Sequence, residues 1–231
     1  MRGIVFNNKD SIKDFGLYVK TLDISPPSKK QIRVSVPFLN GSYNFSTLYG
    51  ENTFEDRQLM YCFDVIGNGS TGLNGLKINV YNWLMGVGEC ELRDTSIPGY
   101  YFLAECINIT EDDEDDYSLL QVTFNAYPFK IKEDYEGDNL WDTFCFETDY
   151  LQSTSFDVDG LTEIELVNPG IISSIPLIIT SAEMEITTQN VTYSLKTGEN
   201  KINSLKLSPG VNTIIVKGIG NIEIKFKSEV L

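Results

Sequence analysis

The sequence predicts a mainly β protein with one helix, built as an N-terminal β-rich domain followed by a C-terminal β-sandwich. Three observations predict it. Thirteen Phe and twelve Tyr stand beside many Ile, Val and Thr, side chains that suit a pleated, half-buried surface. Short apolar runs recur between Gly-, Pro- and Asn-rich turns, the spacing of an antiparallel sheet protein. Only one stretch keeps a helical period. The chain has 231 residues, which accommodates two domains of ordinary size, expected over 1–135 and 136–231.

Taken in order, Gly3 to Phe6 reads as a strand, followed by a polar turn through Asp10 and a second apolar stretch from Phe15 to Val19. Ser25-Pro26-Pro27-Ser28 must be a loop, because two prolines remove ladder donors and fix φ. Gln31 to Val36 alternates as a half-buried strand does, and Asn40-Gly41 signals a turn. The aromatic run from Asn52 to Ile66 reads as one long strand. Leu73, Leu76, Val80 and Leu84 then fall on a single helical stripe, predicting a helix near 72–85 with Thr71 or Ser70 as its cap and Gly86 as its end.

Strands follow at Cys90–Arg93 and Tyr100–Ile109, with Ser96-Ile97-Pro98-Gly99 as the turn between them. Residues 111–116 read Glu-Asp-Asp-Glu-Asp-Asp, and Ser118 to Asn125 alternates again, so 100–125 is expected to be a hairpin with an acidic tip. Residues 130–140 look like a polar connection. Beyond them short runs at Glu163–Val167, Leu177–Thr180, Val191–Leu195, Asn212–Lys217 and Ile222–Phe226 predict the sandwich.

The charge is −15 and unevenly spread. Residues 1–110 hold ten basic and eleven acidic groups, 111–140 two against ten, and 141–231 six against twelve. With no basic stripe, such a chain repels phosphates, so specific nucleic-acid binding is not expected. No apolar run approaches the roughly 20 residues that span a bilayer, and the N-terminus turns polar too early for a signal peptide. No membrane partner is expected. The cysteines Cys62, Cys90, Cys106 and Cys145 lack metal-site spacing and read as small apolar residues.

The chain contains no histidine, which removes Ser-His and Cys-His pairs, the commonest general base and most catalytic zinc sites. No carboxylate pair stands out, so no enzyme, no cofactor and no metal is expected. Gly67-Asn68-Gly69-Ser70-Thr71-Gly72 matches GxGxxG, but a dinucleotide site needs a parallel βαβ unit, and here hairpins follow. A flexible strand-to-helix turn accounts for it. The acidic hexapeptide lacks the Gly and Glu of a calcium loop and reads as a solvated tip that repels itself. Trp83 and Trp141 could form a sugar platform, although one Trp per domain is more often core.

Taken together, the chain resembles the distal tail (Dit) proteins of long-tailed phages of Gram-positive hosts. The resemblance begins at Phe6-Asn7-Asn8-Lys9-Asp10-Ser11 and Phe15-Gly16-Leu17, and continues through Lys29–Pro37, Gly41-Ser42-Tyr43-Asn44 and Phe54-Glu55-Asp56-Arg57. It extends over Asn82-Trp83-Leu84, Pro98–Ala104 and Val122–Phe129, then Asn168-Pro169-Gly170 and Leu207–Asn212. The order of these pieces along nearly the whole chain carries it. The resemblance implies a structural virion protein at the tail tip: a homohexameric ring formed by the N-terminal domain, with a galectin-like C-terminal domain outside. It further implies the tail tube protein on one face and the tail-associated hub or fibre protein on the other, with a receptor-binding protein as a further partner. The alternatives are a carbohydrate-binding adhesion module in the C-terminal domain, or another tail component such as a tube or baseplate protein. The acidic cluster at 111–116 is expected to lie exposed, lining the channel or facing a basic neighbour.

Overall fold

A computed structural model describes every residue except 1, 39, 49, 67, 68, 115, 116 and 139–149. The chain divides into two units, Met1–Lys130 with Leu231, and Ile131–Val230.

The first unit holds β1 (Ile4–Phe6), β2 (Lys9–Asp10), α1 (Ser11–Phe15), β3 (Tyr18–Ile24), β4 (Arg33–Val34), β5 (Tyr43–Asn44), β6 (Arg57–Ile66), α2 (Gly69–Met85), β7 (Cys90–Asp94), β8 (Tyr100–Glu114) and β9 (Tyr117–Ala126). Seven of these strands form a sheet in the order β2-β1-β7-β8-β9-β6-β3, and every pair along it is antiparallel. Register puts Leu59, Tyr61 and Phe63 of β6 opposite Phe124, Val122 and Leu120 of β9, and all six are fully buried. Each such side chain contributes roughly 1.5–3 kcal/mol by leaving water. The helix stripe joins that core through Leu73, Val80 and Leu84. Trp83 belongs to it too: its ring stacks on Phe15 at 4.5 Å and its indole N–H donates to the Phe6 carbonyl at 2.8 Å.

Several expected elements differ from those observed. The described residues form two helices, α1 in addition to the expected one. Asp10 caps α1 by accepting from the Ile12 and Lys13 amides, and Gly16, at φ 68°, closes it by donating to Ile12. Five residues are too few to show a helical period, so only the cap residues announced it. The two-residue loop Asn7-Asn8, both at positive φ, turns β1 into β2. Helix α2 starts at Gly69, so Thr71 lies inside it and is not its cap. It ends at Met85 as expected, and the next position suits glycine, since a Cβ on Gly86 would meet the Asn82 carbonyl oxygen at 2.4 Å. The long strand expected from Asn52 begins only at Arg57, and residues 31–36 contribute just two paired residues, both exposed.

After β10 (Lys130–Lys132), the second unit holds β11 (Ser155–Asn168), β12 (Leu177–Thr180), β13 (Met184–Thr188), β14 (Val191–Leu195), β15 (Gly198–Lys201), β16 (Gly210–Lys225) and β17 (Glu229–Val230). Its main sheet runs β14-β13-β16-β12-β15, with β11 also on β16. The two runs expected at Asn212–Lys217 and Ile222–Phe226 are one 16-residue strand, because Gly218-Ile219-Gly220 continues the ladder instead of breaking it. Gly218 is required there by packing: a Cβ would lie 2.6 Å from the Met184 side chain. A core of Val158, Ile164, Leu166, Ile178, Ile186, Val216, Ile224 and neighbours fills this unit.

Residues 131–138, expected within a polar connection, are packed into the second unit. Glu136 is fully buried, accepts from Ser228 Oγ at 2.6 Å and pairs with Lys132 at 3.3 Å, while its amide donates to the Phe226 carbonyl. Residues 139 and 140 of that stretch lie outside the described residues.

Candidate interaction surfaces

Between β3 and β6 the chain leaves the sheet and forms an arm. Its ladder is two residue pairs long, Arg33 with Asn44 and Val34 with Tyr43. The base is closed by a bridge between Lys29 and Phe54, by the Lys30 amide on the Thr53 carbonyl, and by the Glu55 amide on the Ser28 carbonyl. Side chains add Ser46 Oγ accepting from the Ile32 amide and Asn44 Oδ1 accepting from the Ser46 amide. An isolated two-stranded ribbon is marginal in water at best. Yet this one exposes Ile32, Val34, Val36, Phe38, Tyr43 and Leu48, and none of its residues belongs to the core. Phe38 holds a positive φ of 66° at its tip, a strained state for a bulky residue. Apolar side chains grouped this densely have the composition of an interaction surface.

The acidic tip is the second surface. The hairpin of β8 and β9 forms as expected, and residues 111–113 are exposed. The tip is not a cluster that merely repels itself. Lys77, on the sheet side of α2 and only 4% exposed, reaches Glu111 at 2.6 Å and also Asp113. The Tyr81 hydroxyl donates to the same Glu111 oxygen at 2.8 Å, and Ser118 Oγ bonds Asp113. Burial works against the Lys77 charge, but the hydrogen bonds to Asp113 and Glu111 outweigh it and raise its pKa. The Lys77 contact holds Glu111 and Asp113 below their ordinary carboxyl values, while burial and then Glu111 push the Tyr81 phenol up to about 12. Asp115 and Asp116 lie outside the described residues.

The remaining candidates supply structure, not chemistry. Asp94 is buried and saturated: Arg2 lies at 3.2 Å, Tyr61 Oη donates at 3.2 Å and the Ser96 amide at 2.8 Å. Cys106 is buried, which pushes its thiol up to about 11, away from nucleophilic use. Cys62 and Cys90 are half-buried free thiols, and Cys145 lies outside the described residues. Gly67 and Asn68 of the glycine motif also lie outside them, but β6, the strand before it, sits between antiparallel neighbours β3 and β9. That arrangement is not the parallel unit a dinucleotide requires. Among the described residues no group of three His, Cys, Asp or Glu is placed to hold a metal ion.

In the second unit an open groove is lined by Glu183, Glu185, Ser194, Lys196 and Lys217, with no aromatic ring among its lining residues. A Lys217–Glu185 ion pair at 3.4 Å already spans it. Trp83 is core, and Trp141 lies outside the described residues, so the described part of the molecule presents no tryptophan platform for sugar. Sequence reasoning missed the arm and Lys77. The arm's alternation mimics a half-buried strand, and Lys77 falls on the helix stripe by spacing, four residues after Leu73 and three before Val80, but only a tertiary contact decides what its ammonium meets.

No family model matches the chain, and no protein of curated function matches it in sequence. Solved structures do resemble it. The Dit (gp 19.1) protein of phage SPP1, a hub adsorption apparatus protein of Gram-positive infecting phages, matches over 100% of both chains with a TM-score of 0.71 at 15% identity. A chain of the phage p2 baseplate in its activated conformation with Sr matches over 98% of both chains with a TM-score of 0.49 at 9% identity. The full-length likeness to the SPP1 protein establishes that the chain has that protein's fold.

Proposed function

We propose that this chain is a structural protein of a phage tail tip, a homohexameric adaptor that joins the tail tube to the tail-associated hub and receptor-binding apparatus. The observation that carries the reading is coverage: the likeness to the SPP1 Dit protein runs through both units and over the whole of each chain. A shared single domain would be weaker support, since one fold serves many functions. The arm adds a second support. A monomer has no use for Ile32, Val34, Phe38 and Leu48 in water, whereas a ring subunit covers them with its neighbour. On this reading the protein is not an enzyme, and its place is the virion tail tip after assembly in the host cytoplasm.

The test is the assembly state. The purified chain, alone or mixed with the tail tube protein, is expected to give six-fold rings in negative stain and six times the 26.0 kDa chain mass in solution. A trimer, a stacked tube, or a monomer under both conditions overturns the ring. Phe38→Ser with Leu48→Ser is expected to dissolve the ring while shifting the stability of the subunit by no more than about 0.5 kcal/mol, as exposed sites do.

A further inference from the structure

Strand β11 runs fourteen residues against β16 without a register shift, and among the described strands it pairs with β16 alone. It is therefore a long edge. Two sets of hydrogen bonds fix which way its main chain faces. Just before it, the Thr154 carbonyl accepts from the Ile224 amide of β16 at 2.8 Å, so residue 154 faces inward. At the far end the amide and carbonyl of Val167 are both taken by the Gln152 side chain, each at 2.8 Å, so residue 167 faces outward. With a strand period of two, the main-chain groups of Asp157, Asp159, Leu161, Glu163 and Glu165 also face outward. Burial follows the same rhythm except at Gly160, which is exposed: Val158, Ile164 and Leu166 are buried and these five are exposed. No other described residue bonds to their outward amides and carbonyls.

The side chains on those five positions are four carboxylates around Leu161, which is 71% exposed. Charges of one sign directly opposite each other destabilise a strand pair, so a second β11 is a poor partner for this edge. Lys or Arg opposite the same positions is favourable. The Gln152 amide already bonds Val167 as an added strand would, and it marks where such a strand stops.

We propose that this edge accepts an added strand from a different polypeptide. The strand carries Lys or Arg at alternate positions opposite Asp157, Asp159, Glu163 and Glu165, and an apolar residue opposite Leu161. Main-chain hydrogen bonds supply the affinity and the alternate side chains the selectivity, as in other strand-addition interfaces. The inference does not depend on the tail-tip reading, and a failed ring test leaves it standing.

The test uses the full chain and the nine-residue peptide Lys-Thr-Lys-Thr-Val-Thr-Lys-Thr-Lys, read by amide hydrogen exchange in NMR. Binding is expected to slow exchange at 157, 159, 161, 163 and 165 by about tenfold or more, while the even-numbered amides, already bonded to β16, stay unchanged. Binding without that odd-residue protection, or no binding at about millimolar peptide, overturns the proposal. Glu163→Pro removes one outward N–H and no β16 bond, and is expected to weaken the peptide about tenfold at unchanged melting temperature. Should that variant not fold, Glu163→Lys with Glu165→Lys decides: it must lose the lysine peptide and take the matching glutamate peptide. Unaltered selectivity overturns the proposal.

Discussion

Two acidic stretches of this molecule look alike in sequence and are handled in opposite ways. Around 111–113 the carboxylates face a helix, and Lys77 meets Glu111 and Asp113 from within the same unit. Along 157–165 the carboxylates line a sheet edge. Of the ion pairs found among the described residues, none involves Asp157, Asp159, Glu163 or Glu165. The difference teaches that local charge density does not decide whether an acidic run repels itself. What decides is the element packed across from it: a buried lysine in one place, and in the other an edge with no partner strand among the described residues.

The largest expected effect tests the assigned direction of β11. Ile164→Pro removes both a β16 hydrogen bond and a buried side chain, and is expected to cost about 3 kcal/mol or more in a denaturant melt. Its neighbour Glu163→Pro should leave the melt nearly unchanged. Equal losses for the two would contradict the inward and outward assignment on which the comparison rests.

Next in size is Lys77→Met, which keeps the aliphatic stem and removes the ammonium. Glu111 and Asp113 then face each other uncompensated, and amide exchange over 111–118 is expected to accelerate about tenfold or more, with β11 unaffected. Unchanged exchange would show that the tip is held by the hairpin ladder alone.

Acid gives a smaller and graded effect. Glu111 and Asp113 have depressed pKa values in the folded chain, below the ordinary 4.5 and 3.8. Their stabilising contribution is therefore present above those ordinary values and lost as pH falls through the lower folded ones. Lys77 shifts the other way, so its share is complete below 10.5 and disappears only above its raised value. The tie between tip and helix should hold unchanged from about pH 5 to 10 and loosen only in stronger acid. Exchange over 111–118 followed against pH checks it: loosening near neutrality would contradict the Lys77 assignment.

Much of the fold was legible beforehand. The hairpin from Tyr100, the alternation of Leu120, Val122 and Phe124, and the stripe of Leu73, Val80 and Leu84 are local periodicities, and each sits where its period placed it. The errors share one cause. Ile32, Val34 and Val36 alternate like a half-buried strand but project on an arm, because periodicity reports a pattern of side chains and not what covers them. Gly218 and Gly220 resemble a turn, yet they continue β16 because Met184 and Ser181 fill the space their missing side chains leave. The candidate surfaces were less legible than the fold for the same reason, since each depends on a neighbour distant in sequence.

By itself, then, the sequence determined a β-rich chain with the helix near 72–85 and no histidine for acid–base chemistry, because period, turn residues and residue types are local properties. Only the tertiary structure decided that Lys77 sits under the acidic tip, that the residues after Ser28 leave the sheet as an apolar arm, and that one edge of β11 has no partner strand among the described residues. Those are contacts, or missing contacts, between residues tens of positions apart, and no local pattern encodes which residue arrives across the gap.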